Sequence, residues 1–463
     1  MQDAEDSLPA GPPPAGHTTT RRRRQWPHVA RVLVLGYLGV ILLGTALLTL
    51  PVSNMQGAWT PVWVAFFTAT SAVCVTGLIV VDTGTHFSYF GQTVIMLLIQ
   101  IGGLGYATAY IFIVLLLGRK LSTGDQNILR TGLNLPHLGH LREVVVRVVI
   151  ITLAVEALGM AIMLPAFLRY RGGGGVFDAL FQAVSSFNNA GFSTFTDSLV
   201  SFAGNPAIGL TMPILTVLGG IGFIVMMDLH ERFFLRRRRI LSLHTHVVLR
   251  ATALLLIVGF VLSLVFEWNN PATLAGDPLG VKLLKAFSMS VFPRTCGFNT
   301  VGYNVVTPST YLLTLVLMFI GASPGGTGGG VKTTSFAVIS LATLNSFRGR
   351  TATIIHGRKV PARVLINAYG LLTVWFAVLL VASVAIAHFE PFGTEDIVFE
   401  TVSALGTVGL SRGITANLHW TSQGVLCLLM ILGRVGPITA GSIAFHPAPP
   451  EVVHYPVEDV LVG

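Results

Sequence analysis

The stretch 181–192, FQAVSSFNNAGF, sets the frame for the whole chain, because it returns three more times. The other copies are FTATSAVCVTGL (67–78), FSMSVFPRTCGF (287–298) and FETVSALGTVGL (399–410). In each, a Phe (67, 181, 287, 399) stands ten residues before a Gly (77, 191, 297, 409), and Leu or Phe follows the Gly directly. Three copies carry Ser six residues before the Gly (Ser71, Ser185, Ser403), and the third has Val291 there. The glycines are 114, 106 and 112 residues apart. A fixed local frame at a period near 110 residues is an internal repeat.

Working outward, each copy lies between two apolar stretches: 29–50 and 91–117, 144–168 and 206–229, 247–268 and 310–345, 363–388 and 420–443. These approach or exceed the ~20 residues that cross a bilayer core. The pieces between them, near 59–75, 176–189, 280–294 and 394–407, are too short to span and read as re-entrant pore helices. The 463-residue chain is 52% hydrophobic and only 11% charged, against about 25% charged in soluble domains. The expected fold is an all-α integral membrane protein with four parallel helix–pore-helix–helix repeats around a central pore. It has eight spanning helices and four re-entrant pore helices. The expected parts are a mobile cytoplasmic tail (1–28), repeat 1 (29–118), repeat 2 (144–230), repeat 3 (247–346), repeat 4 (363–444) and a cytoplasmic tail (445–463).

Charge fixes the polarity. Of 29 Lys and Arg, 21 fall within 21–31, 119–147, 232–250 and 348–363, which the positive-inside rule assigns to the cytoplasm. Asp82, Asp178, Asp197, Glu267, Asp277, Glu390, Glu395, Asp396 and Glu400 fall on the opposite side. Such an outer surface either concentrates cations or only keeps the loops soluble. The RRRRQWPH run at 21–28 reads as a lipid-surface anchor and not as a nucleic-acid site, and no signal peptide is visible before Val29. Cys74, Cys296 and Cys427 have no paired spacing, which argues against disulfides and metal sites.

The repeated glycines suggest chemistry. Non-helical backbone survives at membrane depth only inside protein or beside water. Gly permits conformations that aim successive carbonyls at one axis. Rings of carbonyl oxygens can replace a cation's hydration shell, and the negative ends of four pore helices favour the same charge. The candidate coordinating segments are Val75–Thr76–Gly77, Asn189–Ala190–Gly191, Thr295–Cys296–Gly297 and Thr407–Val408–Gly409. The side chains of Asn188 and Asn189 are possible further ligands, although backbone use fits better. The rival reading is that each Gly only allows tight helix packing.

A second motif, GASPGGTGGGVKTTS (321–335), resembles a phosphate loop, but Val331 separates Gly330 from Lys332 and no strand precedes it. It reads better as a broken membrane helix, the sequence pointer to a transport site. Residues 311–320 enter, then Gly321, Ala322, Ser323, Pro324, Gly325, Gly326, Thr327, Gly328, Gly329 and Gly330 interrupt, and Lys332 begins the second half. The corresponding stretches 97–107, 215–225 and 426–436 read as less broken, so one unit is expected to carry a gate. Arg434 lies deep in the last apolar stretch, where a cation needs partners or water or snorkels to the interface. Glu156 lies within the third apolar stretch and is read as packing against another unit. His244 and His246 do not suggest a metal site.

These motifs resemble the Trk/Ktr/HKT superfamily of cation transporters over nearly the whole chain from about residue 30. TSAVCVTGLIVVDTGTHFSYFGQT (70–93) is similar to that family's first filter and following helix, and SSFNNAGFST, SVFPRTCGFNT and TVGLSRG to filters two to four. One apolar span precedes the first pore helix, which is similar to the Ktr membrane subunit. The resemblance implies a passive, gated K+-translocating subunit in the bacterial plasma membrane, multi-pass, with both termini cytoplasmic. K+ would be bound at the filter and carried, with Na+ as a possible activator and no nucleotide on this chain. It implies a homodimer on a cytoplasmic ring of nucleotide-binding (RCK-type) regulatory subunits. It places the 321–330 loop below the filter as a gate, with Arg434 beside it limiting flow. Gly77 in the first filter implies preference for K+, since some plant members carry Ser there and pass more Na+. The nearest rival is a Na+-permeant or Na+/K+-coupled transporter of the same fold. A membrane-embedded enzyme would need clustered acids or histidines within the spans, and these are not evident.

Overall fold

The computed structural model describes residues 26–105, 108, 141–233, 241–350, 352–355 and 357–436. Most of the N-terminal tail, the stretch 106–140 except Thr108, the arginine run 236–239 and the C-terminal tail 445–463 lie outside the described residues.

The described chain is helical apart from a two-residue hairpin, β1 (Ile354–Ile355) with β2 (Arg358–Lys359). In order the helices longer than ten residues are α1 (Trp26–Thr49), α2 (Val62–Val73), α3 (Tyr89–Leu104), α4 (Leu141–Arg171), α5 (Gly175–Phe187), α6 (Pro206–Gly220) and α7 (Phe223–Phe233). They continue with α8 (Leu243–Glu267), α9 (Leu279–Val291), α10 (Pro308–Phe319), α11 (Thr333–Phe347), α12 (Ala362–Phe389), α13 (Thr394–Gly406) and α14 (Trp420–Val435). The four short helices α2, α5, α9 and α13, of 12 or 13 residues, are those that carry the repeated frame.

Local chemistry explains where several elements begin. Ser88, Thr307 and Asn205 accept hydrogen bonds from the first free N–H groups of α3, α10 and α6, and Pro308 and Pro206 occupy first-turn positions that lack an N–H partner anyway. Ser242 caps α8 in the same way. Phe67, Phe181 and Phe399 are fully buried, whereas Phe287 is only partly so. In three of the four copies the recurring Phe is therefore a packing anchor for its short helix.

Each short helix packs against the helices of its own unit: α1 on α2, α4 on α5, α8 on α9 and α12 on α13. The second helix of each unit also packs on the short helix of the next. α3 meets α5, α6 meets α9, α10 meets α13, and α14 returns to α2.

Among the described residues, three runs are long and apolar enough to cross a membrane: Glu143–Phe187, where α4 leads into α5, Leu243–Glu267 and Ala362–Phe389. The pair α6 and α7 adds a fourth if counted as one span bent by 101°. Among the described residues the second helix of each unit ends or breaks at or near a glycine, and the expected continuations 106–117 and 437–443 lie outside the described residues except Thr108. α3 stops at Gly105 (φ 79°), α6 is broken before Gly222 (φ 95°), α10 stops before the glycine loop, and α14 stops at Gly436 (φ 87°). The stretch 215–225 is less broken than the loop of the third unit, as expected, with only Ile221 and Gly222 between α6 and α7, yet the chain bends sharply there. Its carbonyls explain why: Gly220 O accepts from Ser323 N at 3.0 Å and Gly219 O from Thr327 N at 3.1 Å. Backbone from the third unit replaces the helical donors.

Candidate functional site

After each short helix the chain turns through one residue with positive φ that is not glycine: Val75 (56°), Asn189 (60°), Thr295 (89°) and Thr407 (50°). Each stands two residues before its glycine. L residues seldom adopt this region, and for a β-branched Val or Thr it is a genuine outlier. The strain is held by hydrogen bonds back to the helix. Thr76 N, Ala190 N and Val408 N each reach a carbonyl five residues earlier at 2.8 Å, on Ser71, Ser185 and Ser403. The hydroxyls of Ser71 and Ser403 then accept from Gly77 N and Gly409 N at 3.0 Å, while Ser185 Oγ donates to Phe192 O at 2.7 Å. The recurring serine thus stitches segment to helix.

The third segment departs. Val291 replaces the serine, and Pro293, lacking an N–H, stands where the other copies have Val73, Phe187 and Leu405. Helix α9 ends two residues earlier relative to its glycine than α2 and α5 do. Cys296 N bonds Phe292 O, four residues back rather than five. Gly77 (96°), Gly191 (72°) and Gly409 (91°) have positive φ, whereas Gly297 does not.

The four glycines touch in a closed order. A methyl group at Gly77 would overlap Ala190 O, one at Gly191 would overlap Gly297, one at Gly297 would overlap Gly409, and one at Gly409 would overlap Thr76 O. All twelve residues of the four candidate segments are therefore brought together, with 1% exposure at most for the non-glycine members. A cavity of about 260 Å³ opens over them, lined by all four glycines together with Asp82, Ser411 and others.

On the opposite side lies the 321–330 loop. Ile320 and Val331 form a parallel bridge, Gly321 N reaches Val331 O at 3.0 Å, and Ala322 N reaches Gly329 O at 3.1 Å, closing the loop at its base. Gly329 N donates to Thr407 Oγ1 at 2.9 Å, and Thr327 Oγ1 donates to Phe187 O at 3.3 Å. A side chain at Gly328 would strike Thr295. The loop's glycines therefore allow close approach to the third and fourth segments, and Thr327 reaches the end of α5 just before the second. Asn189's amide and the Thr295 hydroxyl are hydrogen-bonded at 2.8 Å just above it.

Two cations hold this loop. Lys332 Nζ donates to Gly328 O at 2.8 Å. Arg434, in the last turn of α14, donates through Nη1 to Thr327 O and through Nη2 to Gly102 O, with Gly103 O at 3.4 Å. Its planar fork bridges the loop of the third unit and the end of α3 in the first. Gly102 and Gly103 were not singled out from sequence, although paired glycines ending an apolar stretch are a signal of exposed carbonyls. His244 and His246 belong to no cluster: among the described residues no group of three metal-ligating side chains forms.

A family model described as "Cation transport protein" (TrkH) matches residues 27–449. The chain belongs to the TrkH family. It is 37% identical over 437 residues to the Ktr system potassium uptake protein B of Bacillus subtilis, covering 94% of this chain and 96% of that one. It is 38% identical to the Vibrio alginolyticus protein of the same description, covering 94% of each. It is 34% identical to the potassium/sodium uptake protein NtpJ of Enterococcus hirae, covering 96% and 98%. The crystal structure of the potassium transporter TrkH from Vibrio parahaemolyticus shares the fold, with TM-score 0.67, 20% identity and coverage of 89% and 84%. TrkH-family membership makes this a multi-pass membrane protein that transports cations and is not an enzyme.

Proposed function

We propose that this chain is the K+-translocating membrane subunit of a Ktr-type uptake system. Four parallel units surround one pore, with eight membrane crossings. Val75–Thr76–Gly77, Asn189–Ala190–Gly191, Thr295–Cys296–Gly297 and Thr407–Val408–Gly409 form a filter whose carbonyls replace the hydration shell of K+. The observation that carries this reading is the closed contact order of the four glycines, combined with positive φ two residues before each. Segment N–H groups are bonded back to their helices, which leaves the carbonyls for the ion.

The loop 321–330 with Lys332 and Arg434 is the gate, held shut by Arg434 beneath the filter. The protein acts as a homodimer in the bacterial cell membrane, both termini cytoplasmic, on a ring of nucleotide-binding regulatory subunits. Relatives named as potassium uptake proteins support K+ as the cargo. The likeness to a potassium/sodium uptake protein favours a second reading, a Na+-permeant or Na+/K+-coupled transporter of the same fold. Uptake of K+, Rb+ and Na+ into proteoliposomes holding this chain distinguishes them. K+ and Rb+ entry well above Na+ is expected. Equal entry of Na+ overturns the K+-selective reading while keeping the fold.

A further inference from the structure

Glu156 lies midway along α4, outside the proposed pore, and is only 3% exposed. An ionisable side chain at membrane depth is costly and is tolerated where it meets a defined partner. Its partner is Asn188, itself fully buried, whose Nδ2 shares its two N–H groups among Glu156 Oε1 at 2.9 Å, Gln100 Oε1 at 3.0 Å and Val184 O at 2.9 Å.

Asn188 stands between two groups of the proposed pathway. Before it, Phe187 O accepts the loop's Thr327 hydroxyl at 3.3 Å. After it, Asn189 carries the positive φ of the second filter segment. On its other side, a methyl at Gly103 would overlap Asn188 Oδ1, so Asn188 also rests against the end of α3. That end supplies the Gly102 and Gly103 carbonyls that receive Arg434, and Arg434 returns to Thr327 O. The contacts close on themselves: Glu156, Asn188, the α3 end, Arg434, Thr327 and back to Phe187.

We infer that Glu156 is a positioning residue for ion selection, setting through Asn188 the second filter segment and the α3 end that receives Arg434. This rests on the proposed function. The acceptor oxygen, and not the filling of space, is what the role requires. A leucine would fill the volume but leave Asn188 Nδ2 with Gln100 Oε1 and Val184 O alone, so the amide would turn toward those two acceptors and shift Asn189 with it.

The test uses the full chain in proteoliposomes, comparing wild type with Glu156→Gln, Glu156→Leu, Asn188→Leu and the double variant. Glu156→Gln keeps an acceptor oxygen and is expected to keep the wild-type KM and K+:Na+ ratio. Glu156→Leu is expected to lower that ratio, or raise the KM for Rb+, by about fivefold to tenfold, the effect of losing one buried hydrogen bond. Asn188→Leu should do the same, and the double variant should be no worse than either alone, since both break one link. Lower yield of Glu156→Leu with unchanged KM and ratio in the surviving protein overturns the inference. Should that variant not fold, Glu156→Met, which packs more adaptably, takes its place, and failure of both assigns Glu156 to the fold alone and likewise overturns it. If the wild type passes no cation, the proposed gate is closed in the absence of its ring. The inference is then read from thermal stabilisation in detergent, where K+ should protect wild type more than Na+ does and the leucine variant should lose that difference; equal protection in the two proteins overturns it.

Discussion

Ser71 and Ser403 each turn a hydroxyl onto the N–H of the glycine six residues ahead, at 3.0 Å in both units. These N–H groups are buried, so removing the acceptor leaves each donor unpartnered, at a cost of about 1–3 kcal/mol. Ser71→Ala is expected to lower the unfolding midpoint of the detergent-solubilised protein, and Ser403→Ala to lower it by a similar amount. A midpoint unchanged in both would show that water replaces the hydroxyl. Val291→Ser should bring no matching gain, because the third segment bonds in a different register. The serine's recurrence was legible in the sequence, but its bond was not. The departure of the third copy was legible too, in Val291 and Pro293, yet its consequence at Gly297 was not. Which φ a glycine adopts depends on the N–H pattern before it, and Pro293 changes that pattern by one residue.

At the scale of elements, the loop 321–330 is a broken helix whose ends are tied by backbone hydrogen bonds and whose tip is held by Arg434. Six glycines in ten residues made the interruption legible. They did not reveal that the loop is pinned, because its partners, Gly219, Gly220, Phe187 and Thr407, lie in two other units. The same long-range partners explain why the sharp bend between α6 and α7 went unread: its cause is the loop that enters it. If Arg434 holds the gate closed, its charge-assisted bonds are worth about 1.5–3 kcal/mol each. Losing one shifts a closed–open balance by about tenfold or more. Arg434→Ala is therefore expected to raise Rb+ uptake by about an order of magnitude. Arg434→Lys should fall between it and wild type, since one ammonium cannot span Thr327 O and Gly102 O as a guanidinium fork does. Uptake by Arg434→Ala at or below the wild-type rate would remove the arginine from the gate and leave it as a structural bridge.

For the whole molecule, the period near 110 residues announced four equivalent parts, and the all-helical membrane fold of the TrkH family agrees with that composition. The order in which the parts touch was not legible, because it is set by contacts between units: α3 on α5, α6 on α9, α10 on α13 and α14 on α2. This closed arrangement packs every unit on its neighbour, and Arg434 links the loop 321–330 to the end of α3. It also leaves no room for a nucleotide at the glycine loop. The loop's backbone is engaged with the second and fourth units, and Lys332 is spent on Gly328 O. On the proposed function, regulation by ATP or ADP would enter through a cytoplasmic partner. The expected outcome is that Rb+ uptake by the chain alone in proteoliposomes is unchanged by either nucleotide, and that a photoreactive ATP analogue does not label it. With a nucleotide-binding ring added, uptake should come to depend on which nucleotide is present, and the label should appear on the ring. Labelling of this chain within 321–335, or a nucleotide effect on the chain alone, would return the glycine loop to the phosphate-binding reading that Val331 argues against. It would also require the loop to leave Thr407 and Phe187, and a change in gating would accompany that release.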